Sequence, residues 1–270
     1  MQNASGLLET YASYVPALIV RSQALATAPI SAPTAEHFPA AILFADIAGS
    51  TALAERLCQR GAIGAEALCD LLNKYFRQLI NTVTAHGGDV VKFAGDALLA
   101  TWPAKDADED LPTVTRRAAQ CGLELQSKLH SYEVDKGMYL SMRVGLGAGE
   151  VMVATVGGVR GRWEYLMAGA PLVPLSLAVQ QAEPGQVVAP PEAFVFLQGH
   201  FAGQGLPDGS VWLGAAHNPL PLRALPEAIA PPGSEAALRS YVPNSILPRL
   251  EAGLAGRLAE HRCTTVLFLR

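Results

Sequence analysis

Asp46 and Asp96 are the residues of this chain best suited to chemistry. Each stands where an apolar, β-type run gives way to small residues: Ala41-Ile-Leu-Phe-Ala-Asp46-Ile-Ala-Gly-Ser-Thr51 and Val90-Val-Lys-Phe-Ala-Gly-Asp96-Ala-Leu-Leu-Ala-Thr-Trp102. A carboxylate at a strand end is fixed at its root and free at its tip. That suits a hard divalent cation, which takes carboxylate and carbonyl oxygens and keeps water or phosphate in its other positions. The Ile47 carbonyl is a third candidate ligand. Gly49-Ser50-Thr51 opens a helix, and free amides in a first helical turn suit phosphate. The competing structural roles are a helix cap for Asp46 and a hairpin-turn aspartate for Asp96. Both acids together, with the Gly-Ser-Thr turn after the first, favour a metal-nucleotide site.

Two cations accompany them. Lys92 lies in an otherwise apolar strand and needs an anion, either a ligand or a structural carboxylate. Arg143, in Ser141-Met-Arg-Val-Gly-Leu-Gly147, offers a fork of donors suited to triphosphate oxygens, or it is a surface arginine on an edge strand. Other chemistries find little support. The six histidines are scattered, with no Gly-x-Ser-x-Gly elbow near them, and no Gly-x-x-x-x-Gly-Lys-Ser/Thr loop occurs.

The elements that must position these side chains alternate in period. Residues 40–47 read as a buried strand, and 49–60 and 64–86 as helices. In the second helix Leu68, Leu71, Leu72, Tyr75, Leu79 and Val83 recur at helical spacing, and His86-Gly87-Gly88 stops it. Residues 89–94 and 97–102 read as a hairpin around Gly95-Asp96. An acidic loop (103–112), a helix (113–132), strands at 139–147, 151–156 and 163–168, a helix at 170–182 and a short strand at 187–189 follow. The order is β-α-α-β-β-α-β, an α+β fold with helices over one face of a small sheet.

Composition narrows the class. Half of the 270 residues are hydrophobic and 16% are charged, enough for a substantial core. A net charge of −4 gives no electrostatic case for nucleic acid or an anionic membrane. No run of about 18 apolar residues suggests a membrane span. The first 20 residues carry Glu9 and lack the basic start of a signal peptide. Cys58, Cys69, Cys121 and Cys263 are far apart, as expected of reduced thiols in the cytoplasm.

Four segments result: an N-terminal helical segment and linker (1–37), the domain carrying the aspartates (38–197), a Gly/Pro-rich connector (198–236), and residues 237–270. The last segment repeats the first. Ser13-Tyr-Val-Pro-Ala-Leu-Ile-Val20 recurs as Ser240-Tyr-Val-Pro-Asn-Ser-Ile-Leu247, and strands follow at Ile42-Leu-Phe-Ala-Asp46 and Val266-Leu-Phe-Leu-Arg270. Two matches in the same order suggest an internal duplication, with a second copy beginning near residue 237. There Arg270 takes the place of Asp46 and cannot ligate a cation.

Phe44-Ala-Asp46-Ile-Ala-Gly-Ser-Thr51, the Gly87-Gly-Asp…Lys92-Phe-Ala-Gly-Asp96-Ala-Leu-Leu block and Met142-Arg-Val-Gly145…Gly149-Glu150 resemble the class III nucleotidyl cyclases over roughly residues 38–190. The wording is most similar to the first catalytic domain of the soluble, bicarbonate-responsive adenylyl cyclases. The resemblance implies a ferredoxin-like βαββαβ palm that pairs head to tail with a second such domain around a shared active site. It implies that Asp46 and Asp96, with Ile47, hold two Mg²⁺ or Mn²⁺ ions. Ile47, Ala48, Gly49, Ser50 and Thr51 would cradle the β- and γ-phosphates of ATP, and Arg143 would pair with them.

The sequence departs from that pattern in one segment. Val173 stands where the family carries a transition-state Asn, and Leu177 where it carries an Arg. Neither side chain can donate a hydrogen bond. The expectation is therefore a metal-bearing half of an adenylyl cyclase, weak or inactive alone, that borrows the missing donors from a second cyclase domain. Alternatives are a non-catalytic nucleotide or anion sensor on the same palm, a guanylyl cyclase, and a diguanylate-cyclase-like palm suggested by Gly87-Gly-Asp89. In the bicarbonate-responsive group a lysine and an arginine hold the anion. Here Lys92 is kept and Ser176 replaces the arginine, so only one of the two anion-holding side chains is present.

Overall fold

In the computed structural model, residues 4–25, 30–105, 109–135 and 137–253 are described. The expected strand after residue 265, with Arg270, lies outside them. The chain begins with helices α1 (Ala4–Ala12) and α2 (Ala17–Leu25), separated at Pro16, which lacks the amide that would continue one helix into the next. Strand β1 (Thr34–Ala48) leads into α3 (Ser50–Cys58) and α4 (Ala62–Ala85). The hairpin β2 (Asp89–Ala94) and β3 (Ala97–Pro103) follows, then α5 (Leu111–Leu129), β4 (Tyr132–Asp135) and β5 (Met138–Gly157). Next come β6 (Trp163–Gly169), α6 (Leu172–Gln181), β7 (Val187–Ala189), α7 (Pro191–Phe194), β8 (Phe201–Gly205) and β9 (Val211–Ala216). Helices α8 (Glu235–Arg239) and α9 (Leu247–Glu251) complete the described chain.

The sheet runs β2-β3-β1-β5-β7-β9-β8, with β4 and β6 also on β5; only the β5–β7 pairing is parallel. Its first four strands carry the βαββαβ connectivity with α4 and α5 as crossovers. Alternation along β1 separates two cores. Ala41, Leu43 and Ala45 face α4 and α5, together with Leu79, Leu98, Leu125 and Leu146. Ala40 and Ile42 face the other way, toward Leu175 and Val179 of α6. Helix α6 comes close because β5 offers a glycine groove. A Cβ on Gly145 would lie 2.3 Å from Val179 Cγ2, and one on Gly149 2.9 Å from Pro171 Cγ.

Two expectations are corrected. Residues 139–147 and 151–156 form one strand, β5, because β1 extends back to Thr34 and pairs with it continuously from Ala48–Ser141 to Thr34–Thr155. The Gly147–Glu150 stretch that resembles a break is held by that long partner. Residues 201–205 and 211–216 of the Gly/Pro-rich stretch are not a connector. They form a hairpin that extends the sheet through β7, with Phe201 and Leu213 buried. The sheet that carries the aspartates therefore spans Thr34 to Ala216.

The two Ser-Tyr-Val-Pro peptides fold alike. Tyr14 N donates to Tyr11 O, Val15 N to Ala12 O, and both Ile19 N and Val20 N to Pro16 O. Tyr241 N donates to Leu238 O, Val242 N to Arg239 O, and both Ile246 N and Leu247 N to Pro243 O. Each bond of the second set lies 227 positions (240 − 13) after its counterpart. The copies pack together, with Tyr11, Ile19, Val20, Leu238, Tyr241, Val242, Leu247 and Leu250 sharing a core with Trp163 of β6. Among the described residues, no helix is long and apolar enough to cross a membrane.

Candidate active site

Asp46 lies two residues before the end of β1 at Ala48, opposite Arg143 of β5 in the strand register. Directly opposed antiparallel residues share a face, and Arg143 Nη2 donates to Asp46 Oδ2. Both side chains are partly exposed, 26% for Asp46 and 34% for Arg143. The guanidinium is incompletely used. Its Nε is buried and has no hydrogen-bond partner among the described residues. An orphaned, buried cationic donor beside a carboxylate suits a second anion at this position.

Asp96 occupies the β2–β3 turn, and the hairpin delivers it to the same place. β3 pairs with β1 up to Leu98–Ala45, which brings the turn alongside the end of β1. Ser50 Oγ, the first residue of α3, donates to Asp96 Oδ2. The cap of α3 is Gly49, at φ 97°, with no side-chain cap; Asp46 is thus not the helix cap. A Cβ on Gly49 would sit 2.8 Å from Tyr139 O, so the turn between Asp46 and Ser50 needs glycine both for its conformation and for this close approach. The first intrahelical bond is Leu53 N to Gly49 O, leaving the amides of Ser50, Thr51 and Ala52 to point along the helix start.

A cleft of about 400 Å³ opens beside Asp46 and Arg143. Phe44, Leu99, Leu172, Leu175, Ser176, Val179 and Gln180 complete its lining. Val173 and Leu177, on the outer side of α6, are 68% and 55% exposed. Asp46, Ile47, Ala48, Gly49, Ser50, Thr51, Asp96 and Arg143 thus converge at one end of the sheet. Lys92 does not join them. It is exposed on β2 and lines a different, larger cleft, so it and Ser176 do not form one anion pocket. Ser50, expected only to bind phosphate, also contacts Asp96. Asp89, which suggested the diguanylate-cyclase-like palm, is instead buried at 4% and held by Ala17 N and Leu18 N. Its burial away from Asp96 removes the basis for the diguanylate-cyclase-like alternative.

The donor set is hard: two carboxylates and backbone oxygen, with no cluster of three or more His, Cys, Asp or Glu among the described residues that could hold a metal ion. Such a set fits Mg²⁺ or Mn²⁺ shared with substrate phosphate, and does not suit a closed thiolate or imidazole site.

The family model for the adenylate and guanylate cyclase catalytic domain matches residues 33–206. The chain belongs to this family. Its match starts just before β1 and ends just after β8, consistent with a domain that includes part of the Gly/Pro-rich stretch. Adenylate cyclase type 10 of Rattus norvegicus is 30% identical over 164 residues, covering 60% of this chain and 10% of the relative. The chain thus spans about a tenth of the length of that relative. Among solved structures, the adenylyl cyclase CyaB from P. aeruginosa superposes with a TM-score of 0.58 at 19% identity, covering 70% of this chain and all of the other. The guanylyl cyclase Cya2 gives 0.56 at 25% identity, covering 71% and 98%. The α+β architecture read from the sequence is that of these cyclase domains, and nucleotidyl cyclase activity is the activity of the family.

Proposed function

We propose that this chain is the metal-bearing half of an adenylyl cyclase that converts ATP to 3′,5′-cyclic AMP and pyrophosphate in the cytoplasm. The observation that carries the reading is the convergence of Asp46, Asp96 and the half-used guanidinium of Arg143 at the start of α3. In the reaction the ribose 3′-oxygen bonds to the α-phosphorus, the bond from that phosphorus to the β-bridging oxygen breaks, and the 3′-hydroxyl proton is lost. Asp46, Asp96 and the Ile47 carbonyl would hold two Mg²⁺ or Mn²⁺ ions, whose chemistry is to acidify the attacking hydroxyl and neutralise the leaving pyrophosphate. The amides of Ile47–Thr51 receive the β- and γ-phosphates. Arg143 would turn from Asp46 toward those phosphates, and loss of the Ser50 contact would leave Asp96 free to hold a cation. The cleft beside α6 receives the partner domain, which supplies the Asn and Arg that Val173 and Leu177 replace, and reads the base. ATP over GTP rests on the adenylate cyclase relatives.

A second reading, a nucleotide sensor without turnover, draws on the exposed apolar Val173 and Leu177. Calorimetry separates the two. A half-site binds Mg-ATP weakly alone and at least tenfold tighter with a complementary cyclase domain. A sensor binds as tightly alone as with the partner. The bicarbonate expectation is not carried forward, because Lys92 and Ser176 line separate clefts.

A further inference from the structure

We infer that Asp89 is a positioning residue for the metal site, tying the N-terminal helix pair α1–α2 to the strand whose hairpin carries Asp96. This rests on the reading of Asp96 as a metal ligand. Asp89 is the first residue of β2. Both of its oxygens are used: Oδ1 accepts from Ala17 N at 3.0 Å and Oδ2 from Leu18 N at 2.7 Å. These are the first two amides of α2, so an acid 71 and 72 positions away does the work that a Ser or Asn beside the helix ordinarily does. The carboxylate is buried and has no salt bridge among the described residues. Burial pushes its carboxyl upward, while the two amides and the more distant Arg21 pull it down. A charge buried on these terms stays only where its hydrogen bonds are kept.

The surroundings make this contact mechanically important. β2 is an edge strand, paired only with β3, and its register slips at Val91. From Lys92 to Gly95 it is exposed. Between β2 and α1–α2 lies an open cleft of about 1080 Å³, bordered by Val90–Phe93 on one side and Val15, Pro16 and Val20 on the other. β3 is fixed by its ladder to β1, while β2 is held at its base by Asp89 and the hairpin tip by the Ser50–Asp96 bond. The helix pair is itself anchored. Tyr11 Oη donates to Glu251 at 3.2 Å, and Arg239 Nε meets the same carboxylate at 2.8 Å. Trp163 N of β6 donates to Ser240 O at 3.1 Å. The paired peptides therefore pack as one block, and Asp89 joins that block to the hairpin that carries Asp96. A displacement of α1–α2 shifts Asp96 relative to Asp46.

The test is a Mn²⁺ titration of the whole chain without nucleotide, free Mn²⁺ being read by electron paramagnetic resonance well below each variant's melting temperature. Asp89→Asn keeps the shape and removes one acceptor. Ala17→Pro removes one donor at the first position of α2, where proline is tolerated, and leaves every acid in place. Asp96→Ala is the control. Expected are a five- to tenfold weaker Mn²⁺ dissociation constant for Asp89→Asn, two- to fivefold for Ala17→Pro, and loss of binding for Asp96→Ala. A purely structural Asp89 would lower the melting temperature and leave the dissociation constant of the folded protein alone. Constants within twofold of the parent for Asp89→Asn and Ala17→Pro, with binding lost in Asp96→Ala, overturn the inference. Unchanged binding in Asp96→Ala overturns the metal reading instead. If Asp89→Asn does not fold, Ala17→Pro decides.

Discussion

At the scale of single residues, the site is a set of charges waiting for partners. Arg143 neutralises Asp46 and yet keeps a buried, unpaired Nε. Replacing it with Gln removes the competitor for Asp46 and also a phosphate donor. Arg143→Gln should tighten Mn²⁺ binding by the nucleotide-free protein and weaken Mg-ATP binding about tenfold, the worth of one charge-assisted hydrogen bond. Paired calorimetric titrations check both signs; a change of the same sign in both would contradict the partner exchange. Gly49 is constrained twice, by φ 97° and by the Tyr139 carbonyl. Gly49→Ala should cost about 1–3 kcal/mol of stability in urea unfolding. The aspartates and the Gly-Ser-Thr turn were legible in the sequence because strand ends and helix starts have local signatures. The contact made by Asp89 was not, because its partners are the amides of Ala17 and Leu18, and no local pattern encodes a backbone donor so distant in sequence.

Elements with strong periodicity were legible too. α4 and the β2–β3 hairpin lie within a few residues of their expected bounds, since Leu68, Tyr75 and Leu79 mark one helical face and Gly95-Asp96 marks a turn. The single long β5 and the β8–β9 hairpin were not, because pairing with distant strands sets them. β5 also packs closely against α6. Gly145→Val would drive a side chain into Val179 and Leu175, lifting α6. A loss of several kcal/mol, or a molten α6 face seen as dye binding, is expected, in line with overpacking elsewhere. On the opposite face, His86 at the C-terminal end of α4 meets Glu124 of α5 at 2.9 Å. Hydrogen bonds from Lys128 and His86 lower the Glu124 carboxyl from its usual 4.5. A depressed folded-state value means that this contribution is present above pH 4.5 and is lost as pH falls through the lowered value. Glu124→Gln should therefore flatten the acid limb of the stability–pH curve. An acid limb identical to the parent's would contradict the assignment.

At the scale of the whole molecule, the proposed reading makes the exposed face of α6 the place where a second cyclase domain docks. Val173 and Leu177 are exposed, so changing them should cost little stability. If only the Asn and Arg donors are lacking, a Val173→Asn, Leu177→Arg double variant paired with itself should gain roughly tenfold or more in cyclic nucleotide formation, with a rate that rises with the square of protein concentration. No gain at any concentration would mean that the partner contributes more than these two side chains. If Asp46 and Asp96 are the catalytic contribution of this chain, cyclic AMP formation from ATP in a mixture reveals it. The second component is a cyclase domain that carries the Asn and Arg but lacks both metal aspartates. The parent chain should restore turnover, and the Asp46→Ala, Asp96→Ala double variant should leave it at background. Full turnover with the double variant would contradict the account.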